Sequence, residues 1–251
     1  MALDINKNSY TVIFAVIMVI VVGAALAGVS NGLKPLVEAN QRAEKQQNIL
    51  YTLGINENES KSDVRMISSD LVEDKFKEVI KGQYYIQDGE LIEDDEAYLI
   101  SLGQEENKTK KDKNYKRKLP LIVAERDGKD VYVIPLLGNG LWDAIWGFIA
   151  VDKDMVVQGV YFGHEGETPG LGGEINQRYF MDPFTGEHLL DDNGNFKGVD
   201  VAKGNNDPLN ERKDDHKVDA IAGATITGDG VAAMIKSTLR LYMPYFKTLN
   251  K

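Results

Sequence analysis

The chain has 251 residues and a mass of 27.9 kDa, which leaves room for one or two domains of ordinary size. Its 39 acidic residues outnumber the 29 basic ones, and the formal net charge is −10. This balance argues against nucleic acid as a partner, because a duplex-binding surface needs a net basic face. The absence of cysteine excludes disulfides, thiol nucleophiles, iron–sulfur ligation and cysteine-type zinc sites, and with three histidines no metal centre is expected. Any redox chemistry must therefore come from an organic cofactor.

A long apolar segment near the N-terminus predicts a membrane anchor. No charged residue occurs from Asn8 to Asn31, and Thr11 to Val29 is a run of 19 mostly aliphatic residues. A helix of that length, at about 1.5 Å per residue, approaches the roughly 30 Å thickness of bilayer hydrocarbon. A signal peptide is the alternative, because Ala25-Leu26-Ala27 resembles a cleavage site, but signal-peptide cores are usually about 7–15 residues long. We therefore expect an uncleaved, single-pass helix in the lipid bilayer.

The charges beside this segment leave its orientation open. Lys7 precedes the segment, whereas Lys34, Arg42 and Lys45 follow it, so the count of basic residues leans toward a cytoplasmic body. Large domains nevertheless translocate largely regardless of such charges. Composition alone does not decide the side.

The rest of the chain predicts an α+β fold, in which helices are followed by an antiparallel sheet and a closing helix. One helix is predicted over Pro35–Leu53, with Pro35 at its first position, and a second over Ser69–Lys81, with Ser69 as N-cap. Residues 56–62 form a predicted polar loop. The stretch Gln104–Lys118, with seven bases and three acids, is interpreted as a solvated loop; contact with anionic lipid or with an acidic neighbouring subunit is the alternative.

Turn signals between apolar runs predict hairpins in the second half of the chain. The predicted hairpins are Leu121–Glu125 with Val131–Leu137 around Asp127-Gly128, Ile145–Val151 with Val156–Phe162 around residues 152–154, and a third at Asn193-Gly194. A last helix is predicted over Gly230–Phe246, with inward residues Val231, Met234, Ile235, Leu239 and Tyr242. We expect three regions: a tail and anchor at residues 1–33, a helical and mixed region at 34–118, and a binding domain at 119–251.

Two segments have compositions that suit neither a core nor an ordinary loop. From residue 163 to 173 there are five glycines, which let a ligand approach the backbone, while Pro169 stiffens the loop and Leu171 offers an apolar surface to a flat ring. The alternative is a plain connection after a strand. From Asp219 to Gly230 a run of very small side chains leads to Thr225 and Thr227, where a helix start favours an anion such as phosphate. Simple N-caps or close helix packing would explain this segment equally well.

Together, the two segments resemble the FMN-binding domain of membrane redox pumps. The run DAIAGATIT begins at Asp219, and ETPGLGGEI lies about 50 residues upstream. The consensus of that family is Asp-x-x-Ser/Thr-Gly-Ala-Thr, whose last Thr carries FMN through a phosphoester bond. The matching acceptor is Thr225, with Asp219, Gly223 and Ala224 in register, whereas Ala222 stands where the family usually has a hydroxyl.

A further string, PLLGNGLWDAIWGFIAVDKD from residue 135, resembles the C subunits of sodium-translocating NADH:quinone oxidoreductases. The related G subunits of Rnf complexes are the second possibility, and a membrane-anchored module that binds an anionic ligand without redox chemistry is the third. The C-subunit resemblance implies a subunit that carries electrons through FMN between other subunits, from NADH toward quinone with sodium export. No GxGxxG fingerprint opens a helix, so NADH is expected to bind elsewhere.

The resemblance also implies roles for individual residues and partners. A flavin transferase that uses FAD would attach the FMN to Thr225, and the body would lie on the periplasmic face of a bacterial inner membrane. The implied flavin contacts are Glu167, Thr168, Leu171 and Gly172 beside the ring, Thr227 near the phosphate, and Trp142 or Trp146 near the ring.

Overall fold

The computed structural model describes residues 8–59, 63–204, 207 and 210–249. Lys7 and residues 60–62 of the expected polar loop lie outside these ranges. The chain forms two compact units, the first ending at Ala43 and the second beginning at Glu44. The first helix, α1 (Asn8–Thr52), runs through this border. Its apolar part is long enough to cross a membrane, and none of that part is buried within the protein.

The course of α1 corrects the prediction of a separate helix that begins at Pro35. The helix is continuous, and Pro35 lies inside it. A proline removes one backbone hydrogen bond and crowds the preceding turn, but the residues on both sides keep their helical bonds, and long membrane helices tolerate such an interruption. The helix ends at Thr52, one residue before the predicted end at Leu53. Gly54 follows with a φ of 80°, the left-handed conformation typical of a residue just after a helix.

Helix α2 (Ser69–Val79) is shorter than predicted and begins differently. Ser69 is its first helical residue, and the preceding Ser68 makes no side-chain capping bond, so the prediction of Ser69 as N-cap is wrong. Only Val72 and Phe76 are buried, and Ile80 already belongs to the first strand. The helical periodicity of the sequence extends to Lys81, but strand pairing in the sheet already determines the backbone from Ile80 onward.

The basic stretch at 104–118 is not simply a solvated loop. Its first half forms helix α3 (Leu102–Lys111), whose N-cap Ser101 accepts a hydrogen bond from the N–H of Gln104 at 3.3 Å. Glu105 is 2% exposed and accepts bonds from the Tyr115 hydroxyl at 2.7 Å and from the Lys118 N–H at 2.9 Å. One buried carboxylate therefore holds the basic segment in place, a long-range contact that charge composition does not reveal.

A six-stranded antiparallel sheet forms the centre of the second unit, in the order β2-β1-β3-β4-β5-β6. Its strands are β1 (Ile80–Gln87), β2 (Glu90–Glu93), β3 (Leu119–Arg126), β4 (Lys129–Asn139), β5 (Ala144–Val151) and β6 (Val157–His164). The first two predicted hairpins are confirmed, with positive φ at both Asp127 and Gly128. The β1–β2 hairpin at Asp88-Gly89 was not predicted, and the turn at Asn193-Gly194 closes only an isolated bridge.

Helical segments pack against the six-stranded sheet. On one face lies helix α5 (Thr225–Leu249), which packs along β4 and buries all five of the predicted inward residues; it begins five residues before the predicted start. Short helical segments after β6, including α4 (Arg178–Met181), pack Phe180 and Phe184 against Phe162 on the same face. Contacts with α2, α3 and residues 97–99 complete the fold around β1, β3 and β4. A small parallel pair, β7 (Asp200–Val201) with β8 (Lys217–Val218), flanks α5.

Candidate functional site

Glycines bring the start of α5 very close to the end of β4. A Cβ atom built at Gly138 would lie 2.7 Å from the Cβ of Met234, and one at Gly230 would collide with the carbonyl oxygen of Asn139. Both distances are shorter than real side chains allow. The helix can therefore lie directly on the strand, and its first turn is fixed beside the loop that follows β4.

Thr225 is the first residue of α5, and it is exposed. Ala222 and Gly223 before it are also exposed, while Ala224 is buried. The first N–H groups of a helix have no partner within the helix and carry partial positive charge, so this end can bind an anion. The exposed hydroxyl of Thr225 thus lies where a phosphate would find backbone donors and little steric hindrance.

The glycine-rich loop after β6 meets this helix start. A Cβ built at Gly223, whose φ is 74°, would lie 2.9 Å from Cδ2 of Leu171, so the leucine side chain rests against the glycine backbone. The loop is closed on itself because the carbonyl oxygen of Thr168 accepts bonds from the N–H groups of Leu171 at 3.1 Å and Gly173 at 3.0 Å. The glycine-rich segment and the small-residue segment, distant in the sequence, are therefore neighbours in space.

Glu167 connects this loop with two other segments. Its side chain is 4% exposed; Oε2 accepts a bond from the Thr227 hydroxyl at 2.6 Å, and Oε1 accepts one from the Trp142 N–H at 2.9 Å. Burial alone raises the pKa of Glu167, but the bonds from Thr227 and from the N–H groups of residues 141–143 outweigh burial and hold the pKa below its ordinary value. The carboxylate is thus ionised at neutral pH, and both of its oxygens accept hydrogen bonds from the protein.

Four apolar side chains of the segments that meet at the start of α5 are exposed. Leu141 is 48% exposed, Trp142 70%, Leu171 42% and Ile226 58%, so each offers apolar surface to the solvent. Leu141 and Ile226 were not among the predicted site residues, although each directly adjoins one of them. Thr168 is exposed as well, so its side chain is free to face a ligand.

Other predicted site residues lie away from this surface. Trp146 packs against Gly163 and lies 5.8 Å from the Tyr161 ring, on the sheet face opposite α5, because its neighbour Ile145 points toward α5. Gly172 and Thr227 are buried beneath the exposed residues. The carboxylate of Asp219 accepts the N–H of Asp207 at 3.3 Å. Among the described residues, no group of three or more His, Asp or Glu is placed to hold a metal ion.

Known proteins are similar to this chain in sequence and in fold. The FMN-binding domain family matches residues 140–240, a range that contains the Trp142 loop, the glycine-rich loop and Thr225. The C subunit of the Na(+)-translocating NADH-quinone reductase of Vibrio anguillarum is 31% identical over 231 residues, covering 91% of this chain and 88% of the relative. The chain belongs to this C-subunit family. The Pseudomonas aeruginosa member is 32% identical and covers 90% of this chain and 89% of its own.

Solved members of this family share the fold. The crystal structure of the C subunit from Parabacteroides distasonis superposes with a TM-score of 0.71 at 32% identity, covering 85% of this chain and 96% of that one. The NqrC structure from Shewanella oneidensis gives a TM-score of 0.64 at 25% identity, with 84% and 99% coverage. The predicted fold class, a long apolar N-terminal helix followed by an α+β domain, is confirmed.

Proposed function

We propose that this chain carries FMN as a phosphoester on Thr225 and passes electrons between other subunits, on a route from NADH to quinone that is coupled to sodium export. The observation that most supports this is the position of Thr225, which is exposed at the open start of α5. Membership in a family of NADH-quinone reductase subunits supports the redox role. The side chains at this site do not themselves accept and pass on electrons, so the redox role requires a bound cofactor.

The residues around Thr225 fit FMN. The phosphate would meet the N–H groups of the first turn of α5, while Ala222 and Gly223 leave room beside it. Because Ala222 has no hydroxyl, these backbone donors would replace the Ser or Thr of the family consensus. The exposed apolar side chains of Leu171, Ile226 and Trp142 would cover one side of a flat ring. Bound FMN would supply electron transfer, which none of these side chains performs.

Attachment of the cofactor requires a partner enzyme, a flavin transferase that uses FAD. The Thr225 Oγ would form a bond to the phosphorus of the FMN half, the pyrophosphate P–O bond would break, and AMP would leave as the hydroxyl proton is lost. Exposure of Thr225 and the small residues before it keep this hydroxyl open to a second protein. A covalent tether then keeps the carrier in place through reduction and reoxidation.

The test is expression together with a flavin transferase. Thr225→Val should lack flavin fluorescence in the denatured protein band and should show the mass of the bare chain, whereas Thr225→Ser should retain some attachment. Thr248→Val, at the exposed far end of α5, is the matched control and should carry flavin normally. Covalent flavin on Thr225→Val would refute the assignment. Flavin that washes off every variant on denaturation would favour a module that binds its ligand without a covalent bond.

We place the flavin ring against Leu171 and Thr168, with Trp142 at its border. Leu171→Asp would add a negative charge there, which disfavours the extra electrons of a reduced carrier. We expect normal flavin content, since Thr225 is unchanged, but a lower reduction potential. Leu241→Asp, at an exposed position near the far end of α5, serves as control. An unchanged potential in Leu171→Asp would move the ring elsewhere.

We infer that α1 anchors the chain in a bacterial inner membrane, with the second unit on the periplasmic side, where the transferase would act. Because the chain has no cysteine, Lys110→Cys gives a single reporter at an exposed position of α3. An impermeant thiol reagent should label it in intact cells whose outer membrane has been made permeable. Labelling only after lysis would instead support the cytoplasmic side that the basic residues favour.

We further propose that residues 119–251 carry the whole flavin site, with 1–33 and 34–118 as anchor and support. All of the proposed flavin contacts fall within the last of these regions. The support is physical, because β1 from the middle region pairs with β3 and completes the sheet. A chain truncated before residue 119 should therefore keep the site residues but lose stability, which thermal unfolding would measure.

A further inference from the structure

Three segments that are distant in the sequence meet at Glu167. Its two carboxylate oxygens accept from Trp142, which lies 25 residues earlier, and from Thr227, which lies 60 residues later. Thr227 belongs to the first turn of α5, only two residues after Thr225. The carboxylate therefore joins the helix start, the glycine-rich loop and the loop after β4 in one place.

Two glycines make room for this carboxylate rather than for a ligand. A Cβ at Gly140 would lie 2.8 Å from Cδ of Glu167, and a Cβ at Gly172 would lie 2.5 Å from Oγ1 of Thr227 and would collide with Glu167 Oε2. Neither position tolerates a side chain while the carboxylate is there. Gly140 after β4 and Gly172 after Leu171 thus serve the same internal contact.

The donors around Glu167 form a set that only an ionised carboxylate satisfies fully. The Thr227 hydroxyl and the N–H groups of residues 141–143 converge on it, and they hold its pKa below the ordinary value in spite of burial. Bonds from N–H and O–H groups to a charged acceptor are stronger and more directional than neutral ones. The side chain is nearly without exposed surface, so it cannot itself line the flavin.

We propose that Glu167 is the positioning residue of the flavin site: its buried carboxylate ties the first turn of α5 to the Trp142 loop and so fixes the Thr225 hydroxyl and the adjoining apolar surface for the cofactor. This inference rests on the proposed function of Thr225. It replaces the expectation, drawn from the family resemblance, that Glu167 forms part of the wall beside the ring. Residue 167 acts through Thr227 and Trp142, and it touches no cofactor itself.

Attachment kinetics give the first test, with the purified chain, FAD and a flavin transferase. Glu167→Ala and Thr227→Val should each slow attachment by about tenfold or more, since small displacements of a reacting group reduce rates steeply. Thr227→Ser keeps the hydroxyl and should restore the wild-type rate. Glu174→Ala is the matched control, because that carboxylate lies on the same loop but accepts from Gly170 at 2.9 Å. The double variant of Glu167→Ala and Thr227→Val should be no slower than Glu167→Ala alone.

Hydrogen exchange gives a second test that needs no flavin. In the Thr225→Val chain, which remains free of cofactor, the Trp142 amide should be protected, and this protection should fall about tenfold or more when Glu167→Ala is added. Adding Glu174→Ala should leave it unchanged. If Glu167→Ala fails to fold, Thr227→Val alone should still increase exchange at Trp142, because the carboxylate would lose its fixed orientation.

The reduction potential separates positioning from plain stability. Glu167→Gln keeps the size of the side chain and one acceptor oxygen, while the Thr227 hydroxyl can turn to accept from the new amide. This variant should still bind flavin, but its potential should rise because a negative charge near the attachment residue is gone. A purely structural role would leave the potential unchanged.

The outcomes are distinct. Normal attachment rates in both Glu167→Ala and Thr227→Val, or an unchanged exchange rate of the Trp142 amide, would overturn the role of Glu167. A wild-type chain that never acquires covalent flavin would overturn the proposed function instead, and the exchange experiment would still decide whether Glu167 ties these loops together.

Discussion

Two buried glutamates of this fold show opposite electrostatics. Glu167 at the proposed flavin site is 4% exposed and accepts several hydrogen bonds, and its pKa is lowered. Glu187, between α4 and β7, is 0% exposed and accepts a bond from Asn210 at 2.8 Å, while within the described part of the chain its Oε2 has no partner. Burial raises the pKa of Glu187 to about 7, against the opposing effects of Asn210 and Lys213. The number of donors, rather than the degree of burial, decides the charge of each group.

The largest expected effect follows from removing the better-satisfied carboxylate. Glu167→Ala deprives the Thr227 hydroxyl and the Trp142 N–H of a charged acceptor, and such bonds contribute about 1.5–3 kcal/mol each. We expect the free energy of unfolding to fall by about 3–4 kcal/mol, measured by urea denaturation of the chain in detergent. Glu174→Ala should cost less than about 1 kcal/mol. An equal loss in Glu167→Ala and Glu174→Ala would show that the donors around Glu167 give it no special role in stability.

The second prediction concerns Glu187 and pH. Its folded pKa of about 7 exceeds its ordinary 4.5, so its contribution to stability is fully present below pH 4.5 and is lost as pH rises toward 7. The loss integrates to about 3 kcal/mol. Glu187→Gln cannot ionise and should flatten this part of the stability curve, making the variant more stable than wild type at about pH 8. A wild-type curve without this decline would show that Glu187 is ionised at no cost.

Glu167 should give the opposite dependence of stability on pH. Its folded pKa is lowered, so its contribution is present above the unfolded pKa and is lost as pH falls through the folded pKa. Glu167→Gln should therefore reduce the loss of stability in acid. Glu187→Gln should leave the pH dependence of stability below pH 4.5 as it is in the wild type. Parallel denaturation series of the two variants below about pH 4.5, where Glu187 is protonated in both the folded and the unfolded chain, would isolate the effect of Glu167.

The smallest effect sets the scale for a neutral hydrogen bond. The hydroxyl of the fully buried Tyr242 donates to the Pro120 carbonyl at 2.8 Å, which joins α5 to β3. Tyr242→Phe should cost about 1 kcal/mol, visible as a fall of a few degrees in Tm. The exposed Tyr179→Phe should cost almost nothing. If Tyr242→Phe cost as much as Glu167→Ala, the charge of the carboxylate would not explain its larger effect.

Local signals in the sequence were sufficient for much of the fold. Asp-Gly pairs favour the positive φ values of a hairpin turn, and Asp127-Gly128 adopts them as its residue types predict. The apolar spacing of α5 identified its buried face. Pro35 misled the prediction, because a local rule about helix starts does not account for a helix that continues on both sides. Asp88-Gly89 carries the same turn signal as the confirmed hairpin, and both of its residues also adopt positive φ.

The site was predictable only in part. The two motifs identified the region of Thr225, but the contact between Glu167 and Thr227 joins residues 60 positions apart, and no local periodicity encodes it. The glycines from residue 163 to 173 predicted an approach for a ligand, whereas Gly172 in this segment accommodates the side chains of Glu167 and Thr227. The burial of Glu105 could not be predicted either, because it depends on bonds from Tyr115 and Lys118 within a segment whose composition indicates a solvated loop.

The short strand β2 limits how this domain can join a neighbour. It is an edge of the sheet and has only four residues, of which Glu90, Leu91 and Glu93 are exposed. Unpaired backbone at such an edge invites strand addition by another chain, and a short strand with charged side chains discourages it. Neighbouring subunits that approach from this side must therefore recognise side chains, and this edge of the sheet resists pairing with the edge of a second copy.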